Sequence, residues 1–167
     1  MGYVNDTHMS QFIPVGAFKT AGTCVLTHSV ASNVVKSARA AADAAFSLFI
    51  PIPIPSNDSA LKGCKLKSID VLYLVATADL TSFVAPVLQK IALAADTVAP
   101  TGAAVTTTYT PANANTLTQA QHVVTVTLTT PEWLDDGYAY ILDLEIDPAT
   151  TSVVTLFGAR ANYDLRV

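Results

Sequence analysis

Three histidines, His8, His28 and His122, are the residues of this sequence that could serve as the base of a catalytic triad. They are scattered along the chain, and no G-x-S-x-G nucleophile elbow accompanies them, so serine hydrolysis is not expected. Six carboxylates crowd the last third: Glu132, Asp135, Asp136, Asp143, Glu145 and Asp147. Paired acids of this kind can cleave glycosides, and several carboxyl oxygens together can hold calcium. Here the run "PEWLDDGY" reads more simply as a turn followed by a solvated strand face, and the D-x-D-x-D-G loop of a calcium site is missing. Cys24 and Cys64 stand 40 residues apart, and only Cys24 has a histidine, His28, within four positions. That pair falls short of a four-ligand metal site. Two free thiols in a reducing compartment are expected, with a disulfide as the alternative. Seven glycines in the whole chain leave little material for a phosphate-cradling loop. The residues therefore point to no enzyme, no metal and no cofactor. Trp133, the single tryptophan, lies between Pro131 and Asp135. It is either a ring folded over one end of the domain or an exposed platform for a glycan or a partner.

If chemistry is absent, surface and shape must do the work, and the composition bears on both. Hydrophobic residues make up 51% of the 167 positions and charged residues only 13%, about half the usual ~25%. Mean hydropathy is +0.41, yet no apolar run approaches the ~18–20 residues that span a bilayer, so no membrane is expected. A chain this poor in charge is expected to cover part of its exterior with copies of itself or another protein. The net charge of −4 argues against nucleic acid, and Lys62, Lys65 and Lys67 form too small a basic cluster to track phosphates. "MGYVNDTHMSQF" has neither the basic start nor the apolar centre of a secretory leader.

The elements that must position these residues are read from a period of two. From Ala44, even positions run Ala44, Phe46, Leu48, Ile50, Ile52, Ile54, while Pro51, Pro53 and Pro55 occupy odd ones. Successive N–H groups of a strand point to opposite edges, so the three prolines remove donors along one edge only. The isoleucines keep theirs and face the core. This predicts an edge strand blunted against aggregation. Further strands are predicted over Phe12–Phe18, Thr23–Val30, Lys65–Thr77, Ser82–Leu93, Val105–Thr110, Val123–Thr130, Tyr138–Asp147 and Ser152–Tyr163. Val124, Val126 and Leu128 should point inward, and Val123, Thr125, Thr127 and Thr129 outward. The Thr/Val faces of Val123–Thr130 and Val105–Thr110, almost free of charge, are the predicted subunit contact. Only Ser37–Ala45, "SARAAADAA", has helical propensity, fitting one short helix or an ordered loop. About nine strands with turn-rich separators predict an all-β fold, a two-sheet antiparallel sandwich of jelly-roll type. Residues 1–22 are read as an N-terminal arm, polar to about Ser10, with the first strand; 23–167 form the sandwich.

The stretches "CKLKSIDVLYLVATADL", "QHVVTVTLTTPEWLDDGYAYILDLEID" and "TTSVVTLFGARANYDL" resemble small β proteins encoded among the virion genes of tailed bacteriophages. The similarity runs from about Lys62 to Val167 and thins before that to "SQFIPV" and the "IPIPIP" edge. It carries structural signatures and no catalytic residue. What it implies is a virion subunit made in the host cytoplasm, a capsid decoration or cement protein seated on a major capsid protein, and a homo-oligomer, foremost a trimer. The alternative is a receptor- or glycan-binding module of a fibre, tail or neck. The interface candidates are Pro51, Pro53, Pro55, Val123, Thr125, Thr127 and Trp133.

Overall fold

The computed structural model describes residues 6–31, 33–55, 63–92, 99–111 and 117–166. Thirteen strands lie along them: β1 (Asp6–Pro14), β2 (Lys19–Gly22), β3 (Leu26–Ala31), β4 (Val34–Arg39), β5 (Phe46–Pro51), β6 (Gly63–Ala76), β7 (Leu80–Phe83), β8 (Val87–Ala92), β9 (Gly102–Val105), β10 (Thr107–Thr110), β11 (Gln121–Trp133), β12 (Tyr138–Pro148) and β13 (Val153–Arg166). One sheet, here sheet A, runs β10-β11-β6-β13-β4-β3, with β1 also on β13. The other, sheet B, runs β2-β5-β12-β8-β9, with β7 on β12. All pairings are antiparallel. The chain is an all-β, two-sheet sandwich of jelly-roll type, as its alternation predicts. Among the described residues no helix is long and apolar enough to cross a membrane.

Alternation becomes burial because every second side chain of a strand meets the opposite sheet. Val124, Val126 and Leu128 of β11 are buried, as are Leu142, Leu144 and Ile146 of β12. Leu48, Ile50, Ile52 and Ile54 complete the same layer from β5 and the segment after it. Fully burying a side chain of this size contributes about 1.5–3 kcal/mol, so this one layer supplies much of the drive to fold.

The prolines sit where one neighbour ends. β5 pairs with β12 throughout, from Phe46 opposite Ile146 to Pro51 opposite Ile141. Ile52 N–H continues that ladder to Tyr140 O at 3.0 Å. On its other side β2 pairs only from Gly22 opposite Phe46 to Lys19 opposite Phe49. Pro51, Pro53 and Pro55 therefore follow the last residue with a neighbour on that side. β5 is central over its first half and an edge beyond Phe49.

Three sequence expectations are corrected. The first is strand extent: Phe12–Phe18 is interrupted by a short 3-10 turn at Val15–Ala17, and the stretch from Ser82 is divided between β7 and β8. The second is the segment Ser37–Ala45, where of the two readings, a short helix or an ordered loop, the loop holds after Arg39. The Ala-rich segment does not form a helix: Ser37 and Arg39 are buried in β4, opposite Leu156 and Val154 of β13. Arg39 then fixes the following loop. Its guanidinium donates to Thr23 O, Ala42 O and Ala44 O at 3.0, 3.1 and 2.8 Å and stacks on Phe46 at 4.6 Å. Satisfying a buried cation this way outweighs the helical preference of a few alanines.

The third correction concerns the arm. Residues 1–5 lie outside the described residues, but Asp6–Pro14 is a strand paired to β13 from Asp6 opposite Arg166 to Pro14 opposite Gly158. Ile13, Val15 and Phe18 enter the common core. Most side chains before Gln11 are exposed, which is why the segment reads as polar. Deleting residues 1–9 is expected to cost about 1–2 kcal/mol through lost ladder bonds. Deleting residues 1–14 also empties the Ile13 site and is expected to cost at least twice that. Urea unfolding of the two truncations checks this, and equal midpoints would refute it.

Candidate functional site

The sequence candidates are dispersed by the fold. His8 Nδ1 donates to Asp164 on the outer face of sheet A, where Lys67 approaches the other carboxylate oxygen at 3.4 Å. The nearby Ser68 hydroxyl is engaged by Asn162 at 3.1 Å. His28 accepts from Ser37 Oγ at 2.5 Å on the β3–β4 hairpin. His122 is buried, donates Nε2–H to Thr118 O at 2.7 Å and packs on Tyr73 with ring centres 5.1 Å apart. They sit on three different strands. Cys24 is half-buried and Cys64 buried, both free; burial pushes both thiols above their ordinary value. Among the described residues no group of three His, Cys, Asp or Glu could hold a metal ion.

The carboxylates separate by strand face. Asp135 Oδ1 accepts from Gly137 N at 2.9 Å and closes the turn between β11 and β12. Asp143, Glu145 and Asp147 share the outer face of β12, since Leu142, Leu144 and Ile146 take the inner one. Glu132 points to the rim between the sheets, where it receives Lys90 Nζ and, at 3.4 Å, the Tyr140 hydroxyl. Lys90 also lies 4.3 Å from the centre of the Tyr138 ring. Burial alone would lower the Lys90 ammonium, but Glu132 and Tyr140 outweigh it and raise it above its ordinary value. The Tyr140 phenol is raised by burial and then by the Glu132 charge. Lys90 and Glu132 border a shallow cleft of about 480 Å³ whose other walls include Thr106, Thr129, Thr130 and Pro131, while Tyr138 and Tyr140 line a separate cleft of about 230 Å³ together with Pro51 and Pro53. A cation and a carboxylate on one open groove, with the Tyr138 ring beside the cation, can hydrogen-bond a polar ligand and offer it a ring face.

The interface candidates fall in three places. Pro51 is half-buried and Pro53 and Pro55 are exposed along the open edge of β5. Val123 and Thr127 are exposed on the outer face of sheet A. Thr125 is tied down: its Oγ1 donates to Asp70 Oδ1 at 2.7 Å. Asp70 Oδ2 accepts from Arg160 at 3.0 and 2.7 Å and from Asn162 at 3.0 Å. The face read as bare Thr and Val thus carries a polar network at its centre. Trp133 ends β11 opposite Lys65, with the Arg166 guanidinium 4.7 Å and the Lys65 ammonium 5.5 Å from its ring. Arg166 is in turn held by Asp6 through bonds of 2.6 and 2.8 Å. The indole carries two cationic side chains and anchors the end of the sheet.

Sequence reasoning missed the Lys90–Glu132–Tyr140 group, because Lys90 looks like an isolated surface lysine 42 positions from Glu132. A hint was available in the alternation of β8, which places Lys90 on the same face as the buried Leu88.

No family model matches the chain, and no curated protein matches it in sequence. Solved structures do. A family 11 carbohydrate-binding module from Clostridium thermocellum, in complex with a β-1,3-1,4-mixed-linked tetrasaccharide, is 7% identical, covers 91% of this chain and 94% of its own, and has a TM-score of 0.41. A family two carbohydrate esterase from Cellvibrio japonicus is 8% identical over 97% of this chain and 35% of its own, with a TM-score of 0.37. The enzymatically active domain of tailspike protein 4 of bacteriophage CBA120 is 10% identical over 86% of this chain and 18% of its own, with a TM-score of 0.36. At this level the likeness is one of fold.

Proposed function

We propose that this chain is a non-catalytic bacteriophage virion subunit that works by contact with other proteins, its finer role being decoration of the capsid shell. The observation that carries the contact reading is the β3–β4 hairpin. Its strands pair with each other from Leu26 opposite Arg39 to Ala31 opposite Val34, while β13 reaches only Ser37–Arg39. Among the described residues the outer half is a two-stranded ribbon with no third strand, and such ribbons are marginal alone in water. It nevertheless exposes Val30, Val34 and Val35 at 69, 44 and 57%. Val30 and Val35 sit opposite each other on one face of the ribbon and Val34, next to Val35, points to the other, so apolar side chains lie on both faces. Apolar groups on a projecting ribbon suit insertion against a partner. The virion assignment draws on the sequence resemblance from about Lys62 onward.

Mass spectrometry of purified particles from the source phage tests this reading. A fixed copy number relative to the major shell protein is expected, and absence from particles overturns it. Val30→Ser/Val35→Ser should keep the fold and weaken attachment.

A second reading, a glycan-binding module, is favoured by the rim cleft. Tyr138 is 37% exposed beside the Lys90–Glu132 pair, the combination of ring and hydrogen-bonding groups that sugars require. A glycan array probed with the wild type and with Tyr138→Ala decides it.

A further inference from the structure

The outer face of sheet A gathers polar groups in a chain only 13% of whose residues are charged. Residues opposite one another on paired strands point to the same side of a sheet. Three such rows cross β1, β13 and β6. Phe12 stands opposite Arg160, and Arg160 opposite Asp70. Ser10 stands opposite Asn162, and Asn162 opposite Ser68. His8 stands opposite Asp164, and Asp164 opposite Lys65. The alternate residues Ile13, Ala161 and Ile69 fill the core beneath.

His8 and Ser10 form one side of a shallow cleft of about 440 Å³, with Lys67, Ser68, Asn162 and Asp164 on the other. These groups are held in place but not used up. Asp164 fixes His8 through Nδ1, which leaves Nε2 without a partner among the described residues. Asn162 donates to Ser68 Oγ at 3.1 Å and to Asp70 Oδ2 at 3.0 Å. The Ser68 proton and the Asn162 carbonyl oxygen therefore remain available to a ligand. The Ser10 side chain is exposed, and its hydroxyl has no partner among the described residues. Two residues along β1, the Phe12 ring is 60% exposed. A Cβ on Gly158 would stand 2.6 and 2.8 Å from its ring atoms, so the ring rests on the glycine and turns its other side to solvent.

The charges on this face are largely matched: Arg160 donates twice to Asp70, and Lys67 lies 3.4 Å from Asp164. Little uncompensated positive charge is left to hold a phosphate or a sulfate. Free donors and acceptors of mixed kind, beside an exposed aromatic ring, suit instead a ligand whose hydroxyls both donate and accept and whose ring has an apolar face. From His8 to Phe12 the strand runs about 13 Å, more than one sugar ring covers. We propose that the outer face of sheet A binds a neutral oligosaccharide, one sugar ring stacked on Phe12 and the next hydrogen-bonded in the cleft by His8, Ser10, Ser68 and Asn162. The site goes beyond the virion reading and is separate from the rim cleft between β8 and β11.

An array of neutral and acidic oligosaccharides, probed with the full chain, should show binding to neutral members. Titration calorimetry with the strongest of these then compares variants. Phe12→Ala should weaken binding about tenfold or more, while Phe12→Trp, which keeps a ring, should retain it. Ser68→Ala should weaken it about threefold. Ser10→Arg should abolish it by filling the cleft, and since the Ser10 side chain is exposed and unpartnered this variant keeps its fold. Tyr138→Ala, at the rim, should leave binding unchanged. No neutral glycan bound, binding to acidic glycans alone, or binding that survives Ser10→Arg and is lost in Tyr138→Ala would overturn the proposal. A chain that binds glycan through Phe12 and Ser10 yet is absent from phage particles overturns the virion reading alone, and a chain found on particles that binds no glycan overturns the sugar site alone.

Discussion

Replacing Gly158 with alanine is expected to lower the melting temperature by about 10 °C, from a loss of roughly 2–5 kcal/mol in a domain of this size. Two effects add. Gly158 has φ +138, a conformation that side chains rarely adopt. A Cβ there would also stand 2.6 and 2.8 Å from ring atoms of Phe12 and 2.9 Å from Ile13 O. The ring of Phe12, itself 60% exposed, lies over the glycine and covers a gap in the sheet where β13 shifts register against β6. Phe12 can rotate away, but the Ile13 carbonyl is held in the β1–β13 ladder and cannot. Adding Phe12→Ala to Gly158→Ala should therefore recover only part of the loss. Calorimetry of the three variants checks the partition. Full recovery in the double variant would mean that the ring was the whole obstacle, and a melting temperature equal to wild type would refute the strain.

Removing the Asp70 carboxylate is expected to cost about 2–4 kcal/mol, the second largest single effect, because four donors converge on a nearly buried group. Burial alone would raise the Asp70 carboxyl; its bonds from Arg160, Thr125 and Asn162 outweigh that and hold it below its ordinary 3.8. A folded-state value below the unfolded one means that the carboxylate stabilises the fold above the unfolded value. That contribution fades as pH falls below about 4, towards the folded value. Asp70→Asn should thus be less stable than wild type at pH 7 and converge on it in acid. Arg160 is 55% exposed, so its ion pair is screened and adds little beyond the hydrogen bonds. Urea midpoints measured from pH 7 to pH 2 decide this, and a constant gap would sink the assignment. The same network changes what a lysine at Thr125 would report. It breaks the Thr125–Asp70 bond and destabilises the subunit itself, so Thr127, exposed on the same strand, is the cleaner probe of that face.

Much of this architecture is written in local alternation. A residue's side on a strand is fixed by its neighbours at i±1, so the inward set Val124, Val126, Leu128 and the isoleucines among the prolines are legible without coordinates. So is the one-sided loss of donors at Pro51, Pro53 and Pro55, which follows from backbone geometry. Which strands become neighbours is another matter. Pairing depends on loop closures that no short window contains, and it decided the polar contacts that join distant strands. Asp70 meets Thr125 and Arg160 across 55 and 90 positions, and Lys90 meets Glu132 across 42. Asp6–Ser10 reads as a loose polar arm because its side chains are exposed, yet its backbone belongs to a ladder with the far end of the chain. Ser37–Arg39 reads as helical because alanines follow, yet burial against β13 and the carbonyls around Arg39 settle it as strand and loop. Trp133 reads as a ring folded over one end of the sandwich or as an exposed platform, and the sequence does not show that Arg166 and Lys65 lie over its ring. Sequence by itself determined the alternation of the long strands, their inner faces and the scarcity of charge, but not β4 or the break between β7 and β8. Tertiary structure alone decided which polar groups meet, because hydrogen bonds between strands are set by register, and register is a property of the whole sheet.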